Sequence, residues 1–429
     1  MAPKFVKRSA TGKTIWLYKT ASRRTKVRDV RWGDYLNVVE ELENGFSKIK
    51  WGREFFYIES DQITDSRPLE VIFLDVAQGD GCLVVSSEAG ADERIMIIDA
   101  GKTDHMYRYV KWRFGKLKDR FDFHAAIITH PDKDHYKGFK HLFAHDKVHF
   151  DNLYHNGLVE RETDPKMGAS DASNRYLVDL VETHDQMKTL FGPPPANRRK
   201  LFPKTMHAAV SNGRVGNFGM MSTAHGIAED GKAWLPGYQP TAGRSETIEV
   251  LGPVPEKVDG GNALRWFGST FSSTKQDDGK TKNGHSVLLR LKIGELGILL
   301  GGDLNVPAET YLLRHYGGIG AQQPLADAIP GASERLGADV FKCCHHGASD
   351  VTDEFIQAVD AFAYTISSGD EEGYVHPRPD LLGRLGKLGR GASPLILCTE
   401  LQRSTKEKYE IKNMSRLFEL HEALGAAET

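Results

Sequence analysis

Ala125-Ala126-Ile127-Ile128-Thr129-His130-Pro131-Asp132-Lys133-Asp134-His135 is the stretch on which the reading of this chain turns. Its first half is a short apolar run, as a strand buried on both faces has. Pro131 has no N–H to give to a ladder, so the strand must end in a turn there. The next residues place two imidazoles and two carboxylates within six positions, His130 to His135. A tight loop at a strand end aims such side chains at one point. Neutral imidazole together with carboxylate suits zinc, manganese or iron, and a mixed nitrogen and oxygen set does not choose sharply among them.

Working outward, the same kind of short apolar run recurs at Val71–Val76, Cys82–Ser86 and Arg94–Asp99. Met106 to Leu117 reads as a helix with a basic face, Arg108, Lys111, Arg113, Lys116 and Lys118, most simply a solvated surface. Residues 157–245 are less regular. They hold Gly192-Pro193-Pro194-Pro195, the basic run Arg198-Arg199-Lys200 and a glycine-rich stretch from 213 to 219, and read as an insertion bordering a site, with helix near Tyr176 to Leu190. Strands resume at Glu246–Leu251. Ser286–Lys292 and Gly297–Leu300 make a hairpin, and Val340–Cys344 and Ala363–Ser367 are two further strands. Asp353–Val359, Pro379–Leu388 and the tail from Ser415 to Ala427 are expected helices.

Towards the N-terminus the pattern changes. Ile15–Tyr18, Tyr35–Val39, Phe46–Lys50 and Phe55–Ile58 are short strands, and Asn44-Gly45 is a hairpin turn between two of them. Strands of this length suit a small barrel. The order of aromatic, glycine and alternating positions resembles bacterial SH3-like domains, which implies a partner such as a protein or peptide. An exposed cluster of Trp16, Tyr18, Trp32 and Trp51 would favour that role, whereas a core made of the same residues would not. The expected organisation is a barrel at 1–66, a larger domain at 67–400 carrying the insertion, and a helical tail at 401–429.

Composition bounds the function. Of 429 residues, 40% are hydrophobic and 27% charged, with a net charge of −2, which fits a globular protein and gives no sign of a globally basic nucleic-acid binder. The four cysteines, Cys82, Cys343, Cys344 and Cys398, have no CxxC spacing, so neither a disulfide framework nor a zinc finger is expected. Met1 to Lys19 has no apolar core of a signal peptide, and no apolar run is long enough for a bilayer, so a cytoplasmic setting with no membrane partner is expected.

The loop after Thr129 resembles the HxHxDH signature of metallo-β-lactamase-fold hydrolases, with Asp132 where the second histidine usually stands. That variant is similar to the branch containing the hydrolase domain of the DNA-uptake protein ComEC. Asp75-Val76-Ala77-Gln78-Gly79-Asp80-Gly81 resembles the branch's DVGQGD motif, and Ile97-Ile98-Asp99-Ala100-Gly101 its strand ending in DAG. Asn283 to Leu289 resembles its Asn-x-x-Ser strand, and Leu299 to Asp303 its TGD motif. His345-His346-Gly347-Ala348-Ser349 resembles HHGS with an inserted alanine, and Tyr374-Val375-His376-Pro377 resembles GHP with valine for glycine. The motifs run in family order across residues 70–390.

The resemblance implies an α/β (α+β) fold, an αββα sandwich after the small barrel, and a hydrolase with two divalent ions, zinc first, manganese or iron also compatible. It implies metal one on His130, Asp132 and Asp303. Metal two would rest on Asp134, His135, Asp303 and one histidine of the 345–346 pair, with His345 preferred because it directly ends the strand. Asp303 would bridge, since a carboxylate can span ions ~3.5–4 Å apart. His285 and His155 are candidates for a third histidine, and His346 for an orienting or substrate contact. Asp75 and Asp99 are expected as anchors of ligands or strand ends rather than as ligands. Asp134, Asp303 and His376 are the expected catalytic groups. The expected substrate is a phosphodiester, including single-stranded nucleic acid. The alternatives are a small-molecule hydrolase (cyclic nucleotide, phosphorylcholine-type ester or lactone) and a non-catalytic binding protein.

Overall fold

The computed structural model describes residues 4–193, 199–273, 275–369 and 376–399. Expectations for Pro194, Pro195, Arg198, Tyr374, Val375 and the tail 401–429 fall outside the described residues. Two compact units are present, Met1–Val71 with Val84–Ile95, and Ile72–Leu83 with Met96–Thr429.

The first unit is antiparallel β. Its strands are β1 (Lys4–Val6), β2 (Ile15–Tyr18), β3 (Lys26–Val30), β4 (Tyr35–Glu41), β5 (Phe46–Trp51), β6 (Glu54–Glu59) and β7 (Ile63–Thr64), in the sheet order β3-β2-β6-β5-β4-β1-β7. Asn44-Gly45 turns β4 into β5, with Val38 opposite Ile49 and Gly45 at φ +80°, a left-handed value that glycine takes without steric cost. Val6, Leu17, Leu36, Val38, Ile49 and Ile58 form its core. The four aromatics divide between the two fates. Tyr18 is buried and Trp32 is 62% exposed. Trp16 and Trp51 are half-buried beneath Lys26 and Arg28, which lie 4.9 and 4.7 Å from the ring centres.

The second unit is built on two sheets. The strands are β8 (Glu70–Phe73), β9 (Gly81–Val85), β10 (Ile95–Ala100), β11 (Phe121–Ile128), β12 (Val148–His155), β13 (Tyr176–Leu177), β14 (Val215–Met220), β15 (Ile227–Glu229), β16 (Lys232–Trp234), β17 (Glu246–Gly252), β18 (Glu256–Val258), β19 (Gly261–Arg265), β20 (Leu288–Ile293), β21 (Leu296–Leu300), β22 (Val340–Lys342), β23 (Ala363–Ile366) and β24 (Leu395–Cys398). One sheet runs β14-β12-β11-β10-β9-β8, with β10, β11, β12 and β14 mutually parallel. Of β8, β9 and β10, residues 72–73, 81–83 and 96–100 belong to this unit. The other sheet runs β15-β16-β17-β20-β21-β22-β23-β24. It is antiparallel as far as β21, then parallel through β24.

Each sheet carries helices on one face. Phe139 and Phe143, from the helix Phe139–Ala144, pack on Phe150 of β12. On the second sheet, Leu312, Leu336, Phe355 and Leu385, one from each of four helices, share a core with Leu299, Phe341 and Tyr364. The remaining faces meet. The N–H of Val287, just before β20, donates to the carbonyl of Thr129, just after β11, at 2.9 Å. The order is therefore helix, sheet, sheet, helix, the αββα sandwich expected. No helix among the described residues is long and apolar enough to cross a membrane.

Local expectations fared unevenly. The helix expected at Tyr176–Leu190 starts only at His184. Asp171 accepts the N–H groups of Ser173, Arg175 and Tyr176, so the chain turns, and Tyr176 pairs as a strand with Arg265. Thr183 and Gln186 then form a reciprocal cap that begins the helix His184–Phe191. Within the stretch read as an insertion, Val215–Met220 is the edge strand β14 of the first sheet. The basic-faced helix spans His105–Arg113.

Candidate metal centre

Parallel strands send all their carboxyl ends to one edge, and that is where open α/β sheets build sites. In the first sheet Asp99 lies at the end of β10 and His130 just after β11. In the second, Asp303 follows β21, His346 follows β22 and Ser367 follows β23. The two edges face each other, and these residues converge.

His130, His135, Asp303 and His346 are all buried. His135 Nε2 lies 3.3 Å and His346 Nε2 3.1 Å from Asp303 Oδ2, and His130 Nε2 lies 4.0 Å from it. Asp134 Oδ2 is 3.5 Å from His346 Nε2, and Asp132 Oδ2 is 3.8 Å from His130 Nε2. The rings of His130 and His135 have centres 4.0 Å apart, and those of His135 and His346 are 5.2 Å apart.

The hydrogen bonds behind these rings decide what they present. His135 Nδ1 is 2.7 Å from Asp99 Oδ2, and an ionised carboxylate only accepts, so the ring proton sits on Nδ1. His130 Nδ1 lies 3.2 Å from both Thr129 Oγ1 and Ser286 Oγ. Those two hydroxyls already donate, to Asp99 Oδ2 at 2.6 Å and to the Asn283 carbonyl at 2.8 Å, so both must accept from His130. His346 Nδ1 faces the Ser367 carbonyl and Asp80 Oδ1, each at 3.2 Å, and so donates as well. Neutral, all three rings turn a bare Nε2 lone pair towards Asp303. None of these Nε2 atoms has a hydrogen-bond partner, and neither has Asp303 Oδ1, although all four are buried. Buried polar atoms left without partners are costly. A divalent cation satisfies nitrogen lone pairs and carboxylate oxygens together, so the donor set fits one.

Electrostatics agree. Burial alone would weaken every charge here. It takes His130, with His135 beside it, down to about 3. Burial also opposes protonation of His135 and His346, but Asp303 with Asp99, and Asp303 with Asp80, outweigh it and raise both well above the usual range. Asp303 is held well below the carboxylate range by the same two histidines, against burial. Without a cation the cluster thus recruits protons to neutralise its carboxylates.

Backbone strain concentrates at the same place. His345 and His346 sit at φ +50° and +54°, and Asp99 at +55°. Left-handed conformations cost a non-glycine residue roughly 1–2 kcal/mol each, and such strain gathers at functional sites. Glycines allow the close approaches. A Cβ on Gly302 would stand 2.7 Å from both Ser286 Oγ and Thr129 Oγ1, and one on Gly79 would stand 1.9 Å from the Asp134 carbonyl.

The structure sets the other expected residues as follows. His346, not His345, lies against Asp134 and Asp303. The preference for His345 rested on its directly ending the strand, but β22 closes at Lys342 and the chain then passes through two successive left-handed residues, His345 and His346. His345 instead lines a cavity of about 300 Å³ with Asp132, Asp134, Asp303, His346 and His376. The His345 and His376 rings are 6.2 Å apart. Burial, with His346 and His345 near, lowers His376 to about 4. His285 is not brought to the cluster: its Nε2 lies 2.7 Å from the Arg265 carbonyl and its ring stacks on Phe267. His155 ends β12, takes the Gly157 N–H on Nδ1, and is outside the cavity lining. Asp75 is exposed and holds its own turn by accepting the Ala77 N–H at 3.0 Å. Asp99 anchors Thr129 and His135.

Sequence reasoning gave no role to Asp80, Lys342, Thr129 or Ser286. Asp80 is buried between Lys342 Nζ and His346 Nδ1. It joins His135, Asp303 and His346 in a group close enough to share a cation. Lys342 occupies one of its oxygens, however, so it serves better to fix the His346 ring than to bind metal. A lone lysine inside the apolar strand β22 was the available signal. Asp132 is held by Lys282, and Asn283 donates to its Oδ2 at 2.9 Å once its amide is oriented by its partners.

No protein-family model matches the chain, and no curated protein matches it. Among solved structures it aligns with Zn2+-bound PqqB from Methylobacterium extorquens at 9% identity, over 75% of this chain and 85% of that one, with a TM-score of 0.34. A variant of CmlA beta-hydroxylase aligns at 9% identity over 80% of this chain and 54% of that one, with a TM-score of 0.35. MEM-A1, a subclass B3 metallo-beta-lactamase isolated from a soil metagenome library, aligns at 10% identity over 65% and 76%, with a TM-score of 0.27. Likenesses this distant carry no argument, and the fold stands on the strand order and layers of the chain itself.

Proposed function

We propose that this chain is a metal-dependent hydrolase of phosphodiesters, in the ComEC-like branch of the metallo-β-lactamase fold, working with two divalent cations, zinc first. The observation that carries the reading is the set of three buried Nε2 lone pairs aimed at one buried carboxylate. His130, Asp132 and Asp303 would hold one cation, and Asp134, His135, Asp303 and His346 the other. Bound cations lower the pKa of water from 15.7 to about 7 and supply hydroxide at neutral pH.

The chain's own residues do the rest. Asp99, Thr129, Ser286, Ser367 and Asp80 lock the three imidazole tautomers, so the ligand nitrogens need no reorganisation. His345 and His376 form the cavity wall facing the cluster, with Gln78, Asn283 and Ser368. With its ordinary titration pushed to about 4, His376 is neutral at pH 7 and donates a hydrogen bond to a substrate or leaving-group oxygen. Asp134 accepts a hydrogen bond from the attacking nucleophile. The polar lining and the lysines beside Asp132 favour a phosphodiester over a lactone. In the N-terminal unit, Trp32, Tyr35 and Phe55 are exposed, which supports an SH3-like module that meets a protein or peptide partner.

A substrate panel with metal-reconstituted protein tests the reading: bis-p-nitrophenyl phosphate, single-stranded DNA, cyclic nucleotides and a lactone. Turnover of the phosphodiesters is expected. Cleavage of the lactone alone would overturn it.

A further inference from the structure

We infer that the Lys282 ammonium is the resident cation at one of the two metal positions. The chain then holds one divalent ion tightly and takes up the other at least about tenfold more weakly, because the second must displace a charge-assisted contact. The inference rests on the metal-centre reading above and specifies how that centre loads.

The two positions are unequally equipped. His135, His346, Asp134 and Asp303 surround one of them, with the Nε2 atoms of His135 and His346 at 3.3 and 3.1 Å from Asp303 Oδ2. Asp134 Oδ2 lies 3.5 Å from His346 Nε2, and Asp134 has no lysine or arginine partner among the described residues. The other position has one imidazole. His130 Nε2 lies 4.0 Å from Asp303 Oδ2 and 3.8 Å from Asp132 Oδ2, and His285 is turned away to the Arg265 carbonyl. Zinc draws on three or four protein ligands in its sites, so this position leans on Asp132.

Asp132 is already engaged. Lys282 Nζ contacts its Oδ1, and the Asn283 amide, oriented by its partners, donates to its Oδ2 at 2.9 Å and to the Gly279 carbonyl at 3.1 Å. Each carboxylate oxygen keeps a second lone pair, so neither contact blocks a metal outright. Charge is the obstacle. With Lys282 against it, Asp132 offers no net negative charge, and an arriving divalent ion meets an ammonium. Lys282 and Asn283 are neighbours on the helix Asp278–Gly284. Asp277 caps that helix by accepting the Lys280 N–H, and the Asn305 amide donates to the Lys280 carbonyl at 2.9 Å. A fixed backbone therefore delivers the ammonium, on a side chain only 16% exposed. Glu160 Oε1, 3.9 Å from Lys282 Nζ, receives the ammonium when a metal displaces it.

The test titrates the metal-free full chain with zinc against a chromophoric chelator, while native mass spectrometry counts the ions bound. The wild type should bind one ion tightly and a second at least about tenfold more weakly. Lys282→Met should close that gap by tightening the second ion alone, and Lys282→Arg, which keeps a cation on Asp132, should preserve it. A readout on the unsubstituted chain stands beside the variants: acylation of Lys282 by an amine reagent should quicken as the second ion binds, and not as the first does. Two ions of equal affinity in the wild type, a gap that survives in folded Lys282→Met, or Lys282 reactivity indifferent to the second ion overturns the inference. The underlying reading fails differently: a chain that binds no ion defeats the metal centre, and a loaded chain that leaves bis-p-nitrophenyl phosphate intact defeats the hydrolase.

Discussion

Replacing Asp99 by asparagine exchanges one acceptor for a donor at a point where only acceptors fit. Oδ1 takes the Thr129 N–H at 2.8 Å, and Oδ2 takes the Thr129 hydroxyl at 2.6 Å and His135 Nδ1 at 2.7 Å. If the asparagine oxygen faces Thr129 N–H, its NH2 meets the His135 N–H, and the ring must move its proton to Nε2. That proton then covers the lone pair intended for the cation. If the oxygen faces His135, the NH2 opposes the Thr129 N–H and the loop start is destabilised. Either way a buried charge-assisted hydrogen bond is lost, about 1.5–3 kcal/mol. Loss of an orienting partner lowers metal affinity by about 10–100-fold, or about 1.4–2.8 kcal/mol. Zinc affinity measured by competition with a chromophoric chelator, beside circular dichroism of the metal-free chain, reads both effects. A folded Asp99→Asn variant that binds zinc as tightly as the wild type would refute the tautomer argument.

Other perturbations probe neighbouring links. Asp303→Ala should abolish turnover of every substrate while the far-ultraviolet spectrum stays native; retained turnover removes the bridging assignment. Lys342→Met should destabilise the chain by about 3–5 kcal/mol in urea melts, because buried Asp80 loses its counter-charge. The double variant Lys342→Met with Asp80→Asn should regain much of that stability, since no buried charge is then left without its counter-charge. Gly79→Ala combines a left-handed φ of +114° with a Cβ 1.9 Å from the Asp134 carbonyl, and should cost metal binding as well as stability. Glu309 is fully buried, and burial lifts it from 4.5 to about 8 despite two donors from Thr352. The folded chain then holds a proton that the unfolded chain releases above 4.5, so the contribution of Glu309 to stability is fullest below pH 4.5 and falls as pH rises towards 8. At about 1.4 kcal/mol per pH unit, the loss is on the order of 5 kcal/mol. Glu309→Gln should flatten that slope between pH 5 and 8 in melts of the metal-free chain.

What the chain reveals by itself follows from local rules. Buried strands announce themselves as apolar runs, so the strand read at Ala125–Thr129 and the loop after it were legible, although the strand itself begins earlier, at Phe121, and so was the Asn44-Gly45 hairpin. A motif order spanning residues 70–390 carried the αββα architecture, and layers built from the chain's own sheets bear it out. Local rules failed where a distant partner outbid them. Tyr176 joined Arg265 in a strand instead of starting a helix. The Arg265 carbonyl also engages His285, which spacing had left as a ligand candidate. Whether His345 or His346 faces Asp303 depended on two left-handed residues after β22, and standing at a strand end does not reveal such a turn. Asp80 and Lys342 lie 262 positions apart. Residue types and their strand-end positions are written in the one-dimensional order, but which nitrogen of a histidine faces inward is decided by the hydrogen bond on its other side, and that partner arrives only when two sheets close.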